Sequence, residues 1–168
     1  LPINRKQKVF PNGTLVIENV ERMSDQATYT CVAKNSQGYS VRGNLELQVM
    51  VPPVVQPFSF GEVALNSGQV VTTPCSVIEG DHPLQLRWLF DGEPIKPRFG
   101  AAVFNIGERS AILSIASVQH NHAGNYTCVA ENEAGTDSHT ANLIINVPPR
   151  WILEPTDKAF AQGSDAKV

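Results

Sequence analysis

A chain of 168 residues can hold one large domain or two small ones. Its net charge of −3 gives no attraction to a polyanion or an anionic membrane, so we predict no nucleic-acid partner. The sequence has no run of about 18 apolar residues, which excludes a membrane-spanning helix, and no signal peptide at its start. Because Leu1 is not an initiator Met and the chain starts within a strand pattern, we expect a piece of a longer protein.

The first 50 residues carry strand signals and end in a motif that recurs later in the chain. The motif Tyr29-Thr-Cys31-Val-Ala recurs as Tyr126-Thr-Cys128-Val-Ala about 100 residues later. This spacing is typical of one immunoglobulin sandwich. We therefore predict that residues 1–50 are the C-terminal half of such a domain. The partner of Cys31 would then lie outside the chain, which accounts for the odd cysteine count.

Two proline pairs mark the predicted domain boundaries, in Val51-Pro-Pro and in Val147-Pro-Pro. Two prolines fix φ and keep the preceding residue extended, so each joint should be short and stiff. We predict a complete immunoglobulin-like domain over 51–147 and the N-terminal stub of a third over 148–168.

Within 51–147, two cysteines and one tryptophan have the spacing that is typical of an immunoglobulin sandwich. Cys75 lies in an alternating run, Trp88 lies on the next strand, and Tyr126 and Cys128 share one face of a third. This pattern is typical of a sandwich in which a disulfide joins the sheets, the indole packs on it, and the tyrosine hydroxyl holds a corner. A Cys75–Cys128 bond should stabilise the domain by roughly 4 kcal/mol. The alternative is two free buried thiols in a cytosolic domain.

The sequence pattern over the rest of the middle domain also indicates strands and turns. The predicted strands are an edge strand over 53–65 broken at Pro57 and Gly61, the Cys75 strand over 68–78, the Trp88 strand over 84–90, a short strand at most before Gly100, and strands over 101–106, 111–118 and 136–147. No helix of useful length is indicated. The fold class is all-β, a two-sheet immunoglobulin-like sandwich of the I-set type, in tandem.

Two residues depart from the expected pattern. His122 stands where the first segment has Asp25, so we expect the corner to depend on Tyr126 alone. Pro74 lies inside a strand that should be central, and proline cannot donate to the ladder. We therefore expect a bulge or an unpaired neighbour at Pro74.

The chain offers little catalytic chemistry. His120 and His122 lie in a polar turn with no Cys or carboxylate cluster near them, so we expect both in a surface loop and no metal. No nucleophile turn of the Gly-x-Ser-x-Gly type and no phosphate-binding glycine loop occurs. We predict no enzyme activity and no cofactor.

Two triplets, at Asn12 and Asn125, fit the acceptor sequence for N-glycosylation. Together with the cysteine pattern they favour an oxidising, secretory environment and disfavour a muscle-type cytosolic sandwich. Asn125 precedes the inward Tyr126, so it should point outward from the sheet that carries Trp88.

The tail, Pro-Pro-Arg-Trp-Ile-Leu-Glu-Pro-Thr-Asp-Lys-Ala-Phe from Pro148, resembles the start of the eighth immunoglobulin domain in the arthropod Down syndrome cell adhesion molecule family (Dscam). Residues 51–53 and 57–62 resemble the start of the seventh. The resemblance implies the end of a sixth domain, a whole seventh and the start of an eighth. In that family the seventh domain has many alternatively spliced versions, and like versions bind each other across cells.

The resemblance thus implies the extracellular part of a plasma-membrane receptor, or a secreted form. Its function would be homophilic recognition by an identical copy on another cell, in neuronal self-recognition and wiring. The alternative is a variable domain of innate immunity that binds pathogens or other heterophilic ligands, including microbial surfaces.

The residues indicate which face could pair. Outward positions on the Cys75 sheet are uncharged, and an uncharged exposed face is a candidate contact surface. The candidate homophilic face is Val70, Thr72, Pro74, Ser114 and Ala116, with Ser76 and Ile112 between them and Val103 and Asn105 beside them. The opposite sheet should instead expose Arg87 and Glu131. Neutral residues on this face could also be simple solvent-facing positions.

Overall fold

The computed structural model describes residues 6–96, 100–149 and 156–167. It is almost entirely β-structure, which confirms the predicted class. The only helical pieces in the described residues are α1, Arg22–Asp25, and a 3₁₀ turn over His120–His122. Residues 150–155, on which part of the tail resemblance falls, lie outside the described residues.

The first segment forms two separate pairs of antiparallel strands. Its strands are β1 Gln7–Val9 with β2 Leu15–Ile17, and β3 Ala27–Lys34 with β4 Ser40–Leu47. Apolar side chains on the second pair remain in solvent, with Val41 73% and Leu45 65% exposed. Cys31 on β3 is free and exposed.

The middle segment contains two four-stranded sheets. Its strands are β5 Val54–Val55, β6 Leu65–Asn66, β7 Val71–Glu79, β8 Gln85–Phe90, β9 Glu93–Pro94, β10 Ala101–Ile106, β11 Ser110–Ile115, β12 Gly124–Asn132, β13 Gly135–Leu143 and β14 Ile145–Asn146. One sheet has the order β10-β11-β7-β5, and the other has β13-β12-β8-β9. The short β6 pairs in parallel with β14. The edge strand predicted over 53–65 is thus two short strands that pair with different sheets.

The core lies between the two sheets and follows the period of two. On β7 the residues Val71, Thr73, Cys75 and Val77 are buried, because every second side chain of a strand points to the same face. Tyr126, Cys128, Ala130 and Leu143 meet them from the other sheet.

The disulfide and the indole join the two sheets as predicted. Cys75 and Cys128 are bonded, with their Cα atoms 6.1 Å apart, which confirms the pair. Trp88 lies directly opposite Cys128 in the strand register and is 3% exposed. Its indole N–H crosses the core and donates to the carbonyl oxygen of Ala111 at 3.1 Å. The buried donor is therefore satisfied, as burial of a polar group requires.

Of the two alternatives predicted at Pro74, a bulge or an unpaired neighbour, the bulge is wrong. The register between β7 and β11 runs without a shift from Ser76 opposite Ser110 to Val71 opposite Ile115, with Pro74 opposite Ile112. The N–H of Val77 donates to the β11 side, so by alternation position 74 has its nitrogen on the other side, toward β5. There β5 pairs with Val77 and Glu79 and does not reach Pro74. The N–H that proline lacks would therefore point to a side where no strand pairs with position 74, in agreement with the second alternative.

Candidate functional site

The corner before Cys128 is held by more than its tyrosine. The hydroxyl of Tyr126 donates to the carbonyl oxygen of His122 at 2.8 Å, and burial raises the pKa of this phenol. The His122 ring is itself buried, and its Nδ1 accepts the backbone N–H of Gln119 at 2.8 Å. The predictions that His122 lies in a surface loop and that the corner depends on Tyr126 alone are therefore both wrong.

Two aromatic residues that the sequence reasoning missed line the core behind this corner. The ring centroids of Phe58 and Trp88 are 4.9 Å apart, and those of Phe60 and Tyr126 are 5.3 Å apart. Both come from the segment between β5 and β6. Their spacing of two within a Pro- and Gly-bounded stretch was the available signal.

The outward side of the Cys75 sheet carries an apolar row across three adjacent strands. Phe104 on β10 lies opposite Ile112 on β11, and Ile112 lies opposite Pro74 on β7. Phe104 is 57% exposed, and the neighbouring Ile106 is 58% exposed. Together with the half-buried Ile112 and the exposed Pro74, these side chains form an apolar patch of the kind that marks contact surfaces.

A second row on the same side is small and neutral. Ala102, Ser114 and Thr72 lie opposite one another on β10, β11 and β7. Thr72 is exposed and Ser114 is half-buried. We call the whole surface the Cys75-sheet face; its members are Val70, Thr72, Pro74, Ala102, Phe104, Ile106, Ile112, Ser114 and Ala116. None of these side chains is charged.

The prediction that Val103 and Asn105 on β10 point outward is wrong. Val103 lies opposite the buried Leu113 and Asn105 lies opposite the buried Ala111, so both occupy inward register positions. They remain exposed because β10 is the last strand of its sheet. The outward positions belong to Ala102, Phe104 and Ile106, and these make the face more apolar than the sequence indicated.

The opposite sheet presents a polar and charged surface. The guanidinium of Arg87 donates to the Glu131 carboxylate at 3.0 Å, as two exposed outward side chains. The hydroxyls of Thr127 and Thr140 are bonded at 2.7 Å. The two sheets therefore expose faces of different chemistry.

The two acceptor asparagines are exposed. The side chain of Asn125 lies on the polar sheet, where its Oδ1 accepts from Asn142 at 2.9 Å. The Oδ1 of Asn12 accepts the backbone N–H of Thr14 at 3.1 Å, in the turn between β1 and β2. Glycosylation at either residue stays a prediction.

Within the described ranges, no group of three or more His, Cys, Asp or Glu side chains is placed to hold a metal ion. Over the same residues, no helix has the length and apolar character needed to cross a membrane.

Comparisons with known proteins agree on one family. A family model described as an immunoglobulin domain matches residues 52–132. The chain is 62% identical over its whole length to the cell adhesion molecule Dscam1 of Drosophila melanogaster. It is 38% identical to human DSCAM, over 97% of the chain. In each case the chain spans only 8% of the relative's length.

Solved structures give the same result. A Dscam structure with the N-terminal eight immunoglobulin domains matches 99% of this chain with a TM-score of 0.71 and 61% identity, and the match covers 21% of that structure. The Dscam1 Ig7 domain, isoform 9, matches with a TM-score of 0.54 and 40% identity. That match covers 56% of this chain and 99% of the isolated domain.

Proposed function

The chain belongs to the Dscam family of cell adhesion molecules, and we propose that it is an extracellular immunoglobulin module of an adhesion receptor that binds an identical copy on another cell. The Cys75–Cys128 bond supports an extracellular location, because structural disulfides persist in oxidising compartments. We propose 51–147 as the complete domain, with 1–50 and 148–168 as parts of its neighbours.

The observation that carries the proposal is the uncharged Cys75-sheet face. In its apolar row Phe104 and Pro74 are exposed and Ile112 is half-buried, while the opposite sheet carries the Arg87–Glu131 ion pair. Burial of such apolar side chains against a partner is favourable in proportion to the area removed from water.

Symmetry explains why a self-contact favours neutral residues. Two like domains that meet as a closed pair use the same patch on each side. Residues near the two-fold axis face their own copies, so a charge at that place would repel itself. Thr72 and Ser114, which lie side by side on adjacent strands, avoid this repulsion.

The size of the face indicates a weak contact. A patch on one small domain would bury roughly 400–800 Å² per partner, which is at or below the usual size for a stable complex. Several domains of one receptor that engage together would raise the overall affinity by avidity. We therefore propose that the middle domain contributes one of several contacts.

The experiment places charge on the face. Thr72→Glu and Ser114→Glu, alone and together, are introduced into the receptor ectodomain, and aggregation of beads coated with one variant is measured. Ser138→Glu is the matched control, since Ser138 is exposed on β13 of the opposite sheet. Far-ultraviolet circular dichroism and melting temperature confirm that all variants are folded.

We expect the two face variants to lose aggregation and the control to keep it. Loss of aggregation in the control alone would place the contact on the other sheet. If the unsubstituted ectodomain does not aggregate but binds microbial surfaces, the heterophilic function replaces this one.

A further inference from the structure

Side chains from both the first and the middle segment form hydrogen bonds to the backbone of the joint between them. From the first segment, Arg22 donates through Nε and Nη2 to the carbonyl oxygen of Val49, each at 3.1 Å. From the middle segment, the carboxylate of Asp81 accepts the backbone N–H of Val51 at 2.8 Å. These bonds hold Val49 and Val51, two of the three residues that precede the proline pair.

Three further bonds complete the arrangement. The carbonyl oxygen of Val51 accepts from the backbone N–H of Asp81 at 3.1 Å and from the side-chain amide of Asn132 at 2.8 Å. The N–H of Val49 donates to the side chain of Gln26 at 3.3 Å. Every backbone polar group of Val49 and Val51 thus has a partner.

Arg22 and Asp81 also meet each other directly. The guanidinium Nη2 of Arg22, on α1, contacts Oδ2 of Asp81, in the turn after β7. We propose that Arg22 and Asp81 are positioning residues that fix the angle between the first segment and the middle domain. This restraint is independent of which face of the middle domain makes contact with a partner.

The restraint comes from geometry and not from the ion pair by itself. An exposed ion pair contributes little to stability because both charges are well solvated. Here each partner also binds the linker backbone, so a rotation at the joint must break several bonds together. Pro52 and Pro53 already fix two of the φ angles, and Pro53 is buried against Gly80.

The second joint offers an internal comparison. In the recurring motif, Gln119 stands seven residues before Tyr126, as Arg22 stands before Tyr29. A neutral amide cannot form such an ion pair. Arg22→Gln therefore converts the first joint to the residue that the chain itself uses at the second.

The experiment measures the width of a distance distribution across the joint. Nitroxide labels are placed on cysteines introduced at Glu46 and Ser138, two exposed positions on either side, in the receptor ectodomain that contains this chain. The variants are Arg22→Gln, Asp81→Asn and the two combined. Arg87→Gln is the control, because it breaks an ion pair of similar exposure that lies within one sheet.

We expect a narrow distribution in the unsubstituted protein and about a twofold broadening in each single variant, since domains without a fixing contact move relative to each other. The combined variant should be at least as broad as the broader single one, because Arg22 and Asp81 also bind the linker backbone at different residues. The control should leave the width unchanged. An unchanged width in Arg22→Gln, or equal broadening in Arg87→Gln, would overturn the proposal.

Discussion

Asp25 and His122 occupy the same place in two copies of one corner motif and make the same two kinds of bond. The hydroxyl of Tyr29 donates to the carbonyl oxygen of Asp25 at 2.9 Å, as that of Tyr126 does to His122 at 2.8 Å. Each side chain also accepts a backbone N–H from a few residues upstream, at 2.8 Å in both cases. A ring nitrogen thus replaces a carboxylate as acceptor, and the fold of the corner is kept.

Removal of this acceptor should destabilise the middle domain. His122→Ala leaves the N–H of Gln119 without its side-chain partner and opens space in a buried position, and we expect a loss of about 1–3 kcal/mol in the free energy of unfolding. His122→Asn keeps an acceptor oxygen close to the position of Nδ1 and should lose less. Urea unfolding of the three proteins gives the comparison. Equal losses in both variants would show that packing of the ring, and not the bond, is responsible.

The core could be predicted because its strands are buried on one face only. Cys75 and Trp88 lie on strands where apolar and polar residues alternate, so the phase of the pattern identifies the inner side. On β10 both sides are exposed and the alternation carries no such information. The register with β11 places Phe104 outward, and that pairing is a long-range property.

His122 and Pro74 show a second reason why parts of the fold could not be predicted from the sequence. The burial of His122 depends on residues distant in the sequence, including the backbone at Gly100, whose Cβ position would lie 3.3 Å from the ring. Pro74 is tolerated because β5 does not extend beside it. Neither neighbour can be identified from local sequence pattern.

The cysteines should differ sharply in reactivity. In a folded protein that consists of residues 1–168 we expect iodoacetamide to modify Cys31 alone, because its predicted partner lies outside the chain and the other two cysteines are bonded and buried. Replacement of both Cys75 and Cys128 by Ala should lower the free energy of unfolding by about 2–5 kcal/mol. Mass spectrometry of non-reduced peptides and urea unfolding provide the measurements. A peptide that links Cys31 to either other cysteine would contradict the domain assignment.

Gly80, which is buried against Pro53 at the first joint, should be hard to replace. Its φ is +127°, and a Cβ there would lie 2.8 Å from Cα of Pro53. We expect Gly80→Ala to cost about 1–3 kcal/mol in the free energy of unfolding, because the backbone must shift. Gly92→Ala is the control: its φ is +85° with nothing within 4 Å, so only the strain of the left-handed conformation is added. Urea unfolding should show the larger loss in Gly80→Ala, and equal losses would mean that Pro53 moves aside freely.

The titration of Asp81 tests the joint from the electrostatic side. The N–H of Val51 is the main cause that holds the pKa of this carboxyl below its ordinary value, and the charge and bond of Arg22 add to it, against the opposing effect of burial. A carboxyl whose pKa is lower in the folded protein stabilises the fold above its ordinary pKa of about 3.9. That contribution is lost as the pH falls through the lowered value. The bonds of Asp81 should therefore persist throughout the neutral range and break only in acid.

Carbon-13 NMR of the Asp81 carboxyl, followed as the pH is lowered, should give a midpoint below the ordinary value of about 3.9. In Arg22→Gln the midpoint should rise only part of the way, because the N–H of Val51 still donates to the carboxylate. Arg87→Gln should leave it unchanged, since Arg87 is paired with Glu131 on the polar sheet. A return to the ordinary value in Arg22→Gln would mean that the Val51 bond forms only when Arg22 holds the carboxylate in place. The joint would then depend on Arg22 alone.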